Sequence, residues 1–119
     1  MQDTQRRSSS SAKIHYPKFT RAELIDRLMN SIRELSTSIP VIEAYLIGSY
    51  AKGNYTASSD IDVLVVVERE EPDTYKKIYK TIRVPRLELL LYSNKEYTIM
   101  TRQQPKTIEK LLESAVKIV

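Results

Sequence analysis

Hydrophobic side chains along this chain fall into stretches of alternating helical and strand-like spacing. Leu24, Ile25, Leu28, Met29, Ile32 and Leu35 recur at helical intervals, and Thr20 with Glu23 supplies the Thr-x-x-Glu capping box that opens such a helix. Pro40 stops any helix ahead of it, and Val41 to Ile47, rich in branched and aromatic residues, reads as a strand. Ile61 to Val67 predicts a second strand. Its nearly continuous Val and Leu positions imply burial on both faces, hence the inner part of a sheet covered by helices. Pro72 suits the first turn of another helix, in which Tyr75, Ile78, Tyr79 and Ile82 share a face, running to about Arg83. Pro85 precedes a third strand, Leu87 to Tyr92, and Ser93 with Glu96 forms a second capping box before a short helical segment. A last helix is expected from near Pro105, with Ile108, Leu111, Leu112, Ala115 and Val116 as an apolar stripe reaching the C-terminus. The order predicts a mixed α/β layer architecture without an internal repeat.

Length and composition narrow the class. A chain of 119 residues suits one domain, and 41% hydrophobic with 29% charged residues excludes a wholly disordered chain, a collagen or a coiled-coil rod. Without cysteine there is neither a disulfide framework nor a thiolate zinc site, so a reducing interior such as the cytoplasm is the expected location. No apolar run approaches the roughly 20 residues of a membrane span, and no export signal is expected either. Residues 1–13, MQDTQRRSSSSAK, carry no branched aliphatic or aromatic side chain and read as a disordered tail ahead of a domain over 14–119. Arg6, Arg7 and Lys13 against Asp3 supply half of the net charge of +4. The domain is thus nearly balanced and lacks the strongly basic footprint of a nucleic-acid binder, although a local patch leaves nucleic acid open.

Both glycines, Gly48 and Gly53, fall in the connection between the first two strands, LIGSYAKGNYTASSDIDVLVVV. Glycine is needed where φ is positive or where a ligand must approach the main chain. The Gly48-Ser49 pair offers free amides and a hydroxyl suited to phosphate, with a simple turn as the competing reading. Asp60 and Asp62 flank Ile61 at the start of the second strand, where residues i and i+2 share a face roughly 6.6 Å apart. Two like charges beside an apolar run call for a cation, and few carboxylates plus substrate phosphates describe a Mg²⁺ site. A solvated strand end is the alternative. Glu88, the only acid in VPRLELLLY, could complete a triad able to hold two metals about 3.5–4 Å apart; an exposed glutamate on an edge strand competes with that reading.

Gly48-Ser49, ten residues, Asp60-x-Asp62 and then a distal strand carboxylate resemble the minimal nucleotidyltransferases of the DNA polymerase β superfamily. The likeness covers about residues 20–119, and GSYAKGNYTASSDIDVLVV is its most diagnostic part. It implies a polymerase β-like nucleotidyltransferase fold, with a mixed sheet packed against helices. It also implies transfer of a nucleoside monophosphate, AMP from ATP foremost, from an NTP to an acceptor hydroxyl. On this resemblance Asp60, Asp62 and Glu88 are the catalytic, metal-binding residues for two Mg²⁺ ions, with Glu88 on the acceptor side. Gly48 and Ser49 hold the β- and γ-phosphates, and Lys52 either adds charge there or solvates the loop. The family's third acid is more commonly Asp, so the longer arm of Glu88 is a departure. Many such proteins act beside a HEPN-domain partner as antitoxins that transfer AMP to a tyrosine of that ribonuclease toxin. The partner here would be a separate protein. The alternative function, from a different class, is a catalytically weak nucleotide- or partner-binding module.

Other features have less specific readings. Lys76, Lys77, Lys80, Arg83 and Arg86 form a basic run that reads as a solvated helix face, with triphosphate, RNA or an acidic partner as alternatives. Tyr50 and Tyr55 bracket the site loop and either stack a base or pack the loop. His15, the sole histidine, lies next to the tail and is not a candidate general base.

Overall fold

A computed structural model describes residues 19–119; the expected tail over 1–13 and His15 lie outside the described residues. Helix α1 spans Arg21–Leu35 and begins at the predicted capping box: the Thr20 hydroxyl accepts from the Glu23 N–H at 3.1 Å, and the Glu23 carboxylate accepts from the Thr20 N–H at 2.8 Å. Leu24, Leu28, Ile32 and Leu35 form its buried face. There follow β1 (Val41–Ile47), α2 (Gly48–Lys52), β2 (Ile61–Val67), α3 (Thr74–Thr81), β3 (Leu87–Ser93), α4 (Asn94–Gln103), α5 (Pro105–Leu111) and β4 (Val116–Lys117).

The sheet has the order β3-β2-β1-β4, with β2 parallel to β3 and antiparallel to β1, and β1 antiparallel to β4. Strand β2 is interior, and Val63 to Val67 are fully buried, as its unbroken apolar composition requires. One face of the sheet, with Ala44, Leu46, Ile61, Val63, Val65, Leu87 and Leu89, joins the inward residues of α1 and α3 in the main core. Alternation and register put Tyr45, Ile47, Asp62, Leu64, Glu88 and Leu90 on the opposite face, which α4 and α5 cover only in part. Not one residue of α4 is buried. Among the described residues no helix is long and apolar enough to cross a membrane.

Two expectations about element ends change. Helix α3 begins at Thr74, not at Pro72, because the Thr74 hydroxyl turns back to accept from the Glu71 N–H at 2.8 Å and closes a turn through Pro72 and Asp73. The final helix stops at Leu111 and does not reach the C-terminus. Ser114, at φ 61°, turns the chain back so that Val116 and Lys117 pair with Leu46 and Tyr45. The spacing of Ala115 and Val116 is compatible with either structure. The open edge of β1 decides between them, since pairing there satisfies backbone groups and buries Ile118 to 7% exposure.

Candidate active site

Strand β1 ends at Ile47 and Gly48 opens α2 with φ +74°. A Cβ at Gly48 would overlap the Asp62 carboxylate, so the position requires glycine both for its backbone angle and for the close approach of that side chain. Gly53, at φ +86°, closes the one-turn helix by donating its N–H to the Ser49 carbonyl at 2.9 Å. Between them Tyr50 and Ala51 are buried. The Tyr50 ring stacks on Tyr55 with centroids 4.2 Å apart, and the Tyr55 hydroxyl accepts from the Arg21 N–H at 3.0 Å. Of the two readings for this tyrosine pair, loop packing is the one observed: the rings face each other and tie the loop to the start of α1.

Asp62 lies opposite Ile47 on β1 and opposite Glu88 on β3, so the two acids occupy one rung of the parallel pair and the same face. Asp62 is half-buried. Its carboxyl is pushed above the usual carboxylate range, first by burial and then by the negative charges of Asp60 and Glu88. Glu88 is exposed on the outer strand of the sheet. Asp60 sits just before β2, exposed, with its carboxylate 3.1 Å from the Arg86 guanidinium. Arg86 is itself in the left-handed region, φ 57°, and its carbonyl accepts from the Ile61 N–H at 2.8 Å. The chain entering β3 is thereby clasped to the start of β2, which brings Arg86 onto Asp60.

The expected three-carboxylate cluster therefore takes a different form: among the described residues no three acidic or histidine side chains converge closely enough to hold a metal ion by themselves. What is present is Asp62 beside Glu88, with Asp60 nearby and drawn to Arg86. Asp62, whose ionised form is disfavoured first by burial and then by two acidic neighbours, fits a divalent cation that binds through one or two carboxylates and completes its shell with phosphate oxygens and water.

Beside Asp62 opens a cavity of about 300 Å³, lined by Ile47, Gly48, Lys52, Asp62, Leu90, Lys110, Leu111 and Glu113. Its size is at the lower end for small-ligand sites. Lys52 thus faces the same space as Gly48 and Asp62. Lys110 and Glu113 are absent from the sequence-derived candidates. Their only signal in the sequence is a place on the polar side of a helix, which many solvated residues share. Of the basic run, Lys76, Lys77 and Lys80 lie on the exposed side of α3, where Lys77 pairs with Asp73 at 3.3 Å in an i, i+4 surface contact, whereas Arg83 and Arg86 follow the helix and Arg86 pairs with Asp60.

A strand runs into a glycine-serine turn, and acids stand side by side on the next two strands of a mixed α/β domain. The chain belongs to the nucleotidyltransferase domain family, whose pattern it matches over residues 25–118. A solved structure of a candidate nucleotidyltransferase from Sulfolobus solfataricus is similar in fold, with a TM-score of 0.52 and 19% identity over 67% of this chain and 76% of that one. No curated protein matches the chain. The mixed sheet with helices packed against it is accordingly a nucleotidyltransferase fold, as the motif led one to expect.

Proposed function

We propose that this chain transfers a nucleoside monophosphate, AMP from ATP foremost, to an acceptor hydroxyl in a Mg²⁺-dependent reaction that releases pyrophosphate. The observation that carries the reading is the pairing of Asp62 with Glu88 on one rung, with Gly48 pressed against the Asp62 carboxylate. Asp60, Asp62 and Glu88 would hold the metal, two ions on the family resemblance, and bound Mg²⁺ supplies neutralisation of the charge that builds on the phosphates. Gly48 and Ser49 orient the β- and γ-phosphates at the start of α2, and Lys52 adds a positive charge from its end. Glu88, on the exposed edge, faces the acceptor and favours loss of the hydroxyl proton as that oxygen attacks the α-phosphorus. The bond from the α-phosphorus to the bridging oxygen breaks and pyrophosphate leaves. Most of the rate enhancement is positioning and charge neutralisation. Releasing Asp60 from Arg86 costs little, because that ion pair is about half exposed on both sides.

The acceptor that the resemblance suggests is a tyrosine of a separate HEPN-domain ribonuclease, which would make this chain a cytoplasmic antitoxin and protein adenylyltransferase. The experiment is incubation of the purified chain with labelled ATP, Mg²⁺ and candidate acceptors, including a HEPN protein. Label should pass to the acceptor and be lost with a chelator and in Asp62→Asn. No transfer to any protein or RNA by a folded chain would overturn the proposal. A second reading, a binding module that neutralises its partner without chemistry, draws on the engagement of Asp60 by Arg86. Partner inhibition that survives Asp62→Asn would favour it.

A further inference from the structure

The cavity beside Asp62 has two walls. One is α2, with Gly48 and Lys52; the other is the end of α5, with Lys110, and the turn that follows it, with Glu113. Among the described residues neither lysine has an ion-pair partner. The α5 wall is pinned twice. Ile108 is buried beneath it, and past Ser114 the chain enters β4, which pairs with β1. Gly48 follows directly on the last residue of that same β1, so one strand fixes Lys110 relative to the phosphate-binding turn.

Two ammonium groups lining one cavity from two elements suit an anion whose charges are linked in a chain better than one phosphate alone. Asp62 and Glu113 also line the space, so its side chains carry two charges of each sign. A divalent cation, were Asp62 to hold one, would tip that balance toward a polyanion. We infer that Lys110 is a triphosphate-binding residue that grips the β- and γ-phosphates from the α5 side, with Lys52 on the α2 side, and makes the site prefer nucleoside triphosphates to monophosphates. This rests on the nucleotidyltransferase reading above and extends it to a residue outside the motif.

The test is calorimetric titration of the full chain in Mg²⁺ with a non-transferable α,β-methylene ATP analogue and with AMP. Loss of one charge-assisted phosphate contact corresponds to about tenfold in affinity. Lys110→Ala should weaken the triphosphate analogue by about that factor and AMP by less than about twofold, while Lys110→Arg restores binding. Thermal unfolding should be unchanged, since Lys110 is exposed. Lys106→Ala, a charge change on the same helix outside the cavity lining, should leave both affinities as they are. Equal weakening of analogue and AMP, no weakening at all, or an equal effect of Lys106→Ala would overturn the inference. If the unaltered chain itself fails to bind the analogue, the nucleotidyltransferase reading falls with it. If it binds and Lys110→Ala binds as well, only the role of Lys110 is lost.

Discussion

Gly48 and Gly53 both adopt positive φ, yet they differ in what surrounds them, and that difference separates conformational cost from steric cost. A Cβ at Gly53 meets open space, so Gly53→Ala should lower stability by about 1 kcal/mol through the backbone alone and leave nucleotide binding intact. Gly48→Ala adds a collision with Asp62 and should cost about 2–4 kcal/mol while displacing the carboxylate and abolishing binding of a Mg²⁺-nucleotide. Denaturant unfolding and nucleotide titration of the two variants check both statements. The importance of these glycines was legible in the sequence because the chain has only two and spends both in one connection. That Gly48 makes room for Asp62 was not legible, since the contact depends on how β1 and β2 pair.

Elements with a continuous or strongly periodic apolar pattern were legible to the residue: Val41–Ile47 and Ile61–Val67 are as expected, and both capping boxes form. The end of the final segment was not: its helix starts at Pro105 as expected, but Leu112, Ala115 and Val116 at helical spacing also suit a turn and a short strand. What settled it was a partner distant in sequence, the open edge of β1. The reversal leaves Ser114 in a left-handed conformation that an L side chain tolerates poorly. Ser114→Gly should therefore stabilise the protein by about 0.5–1 kcal/mol, measured as a higher denaturation midpoint with an unchanged slope. Lys110 escaped the sequence reading for the same reason: its neighbour Gly48 lies far along the chain and is brought close by that terminal strand.

At the scale of the whole molecule, the site works against the fold that carries it. Because the Asp62 carboxyl is raised above its ordinary value of 3.8, the native chain keeps that proton to higher pH than the unfolded chain does. Between the ordinary and the raised value the native state binds more protons, so this group's effect is to lower stability as pH rises, and the loss persists above the window. Asp62→Asn removes it. The variant should unfold at a higher temperature than the unaltered chain at pH 7, with the difference vanishing below pH 3.8, in thermal melts without metal. An equal or lower melting temperature at pH 7 would contradict the electrostatic account. The sequence alone supplied the acids and the neighbouring strands; the parallel alignment that sets Asp62 level with Glu88 required the crossover through α3 and the clasp from Arg86 to Ile61.

That shared rung has a further consequence. Adjacent strands are held about 4.8 Å apart by their hydrogen-bond ladder, so the gap between the two acid-bearing backbones behaves as a fixed gauge that loop movement does not stretch. Reach must then be adjusted by side-chain length. Shortening Glu88 to Asp withdraws one oxygen pair by a single methylene while the mainchain stays put, so the separation of the two carboxyl groups is written into the choice between two homologous amino acids.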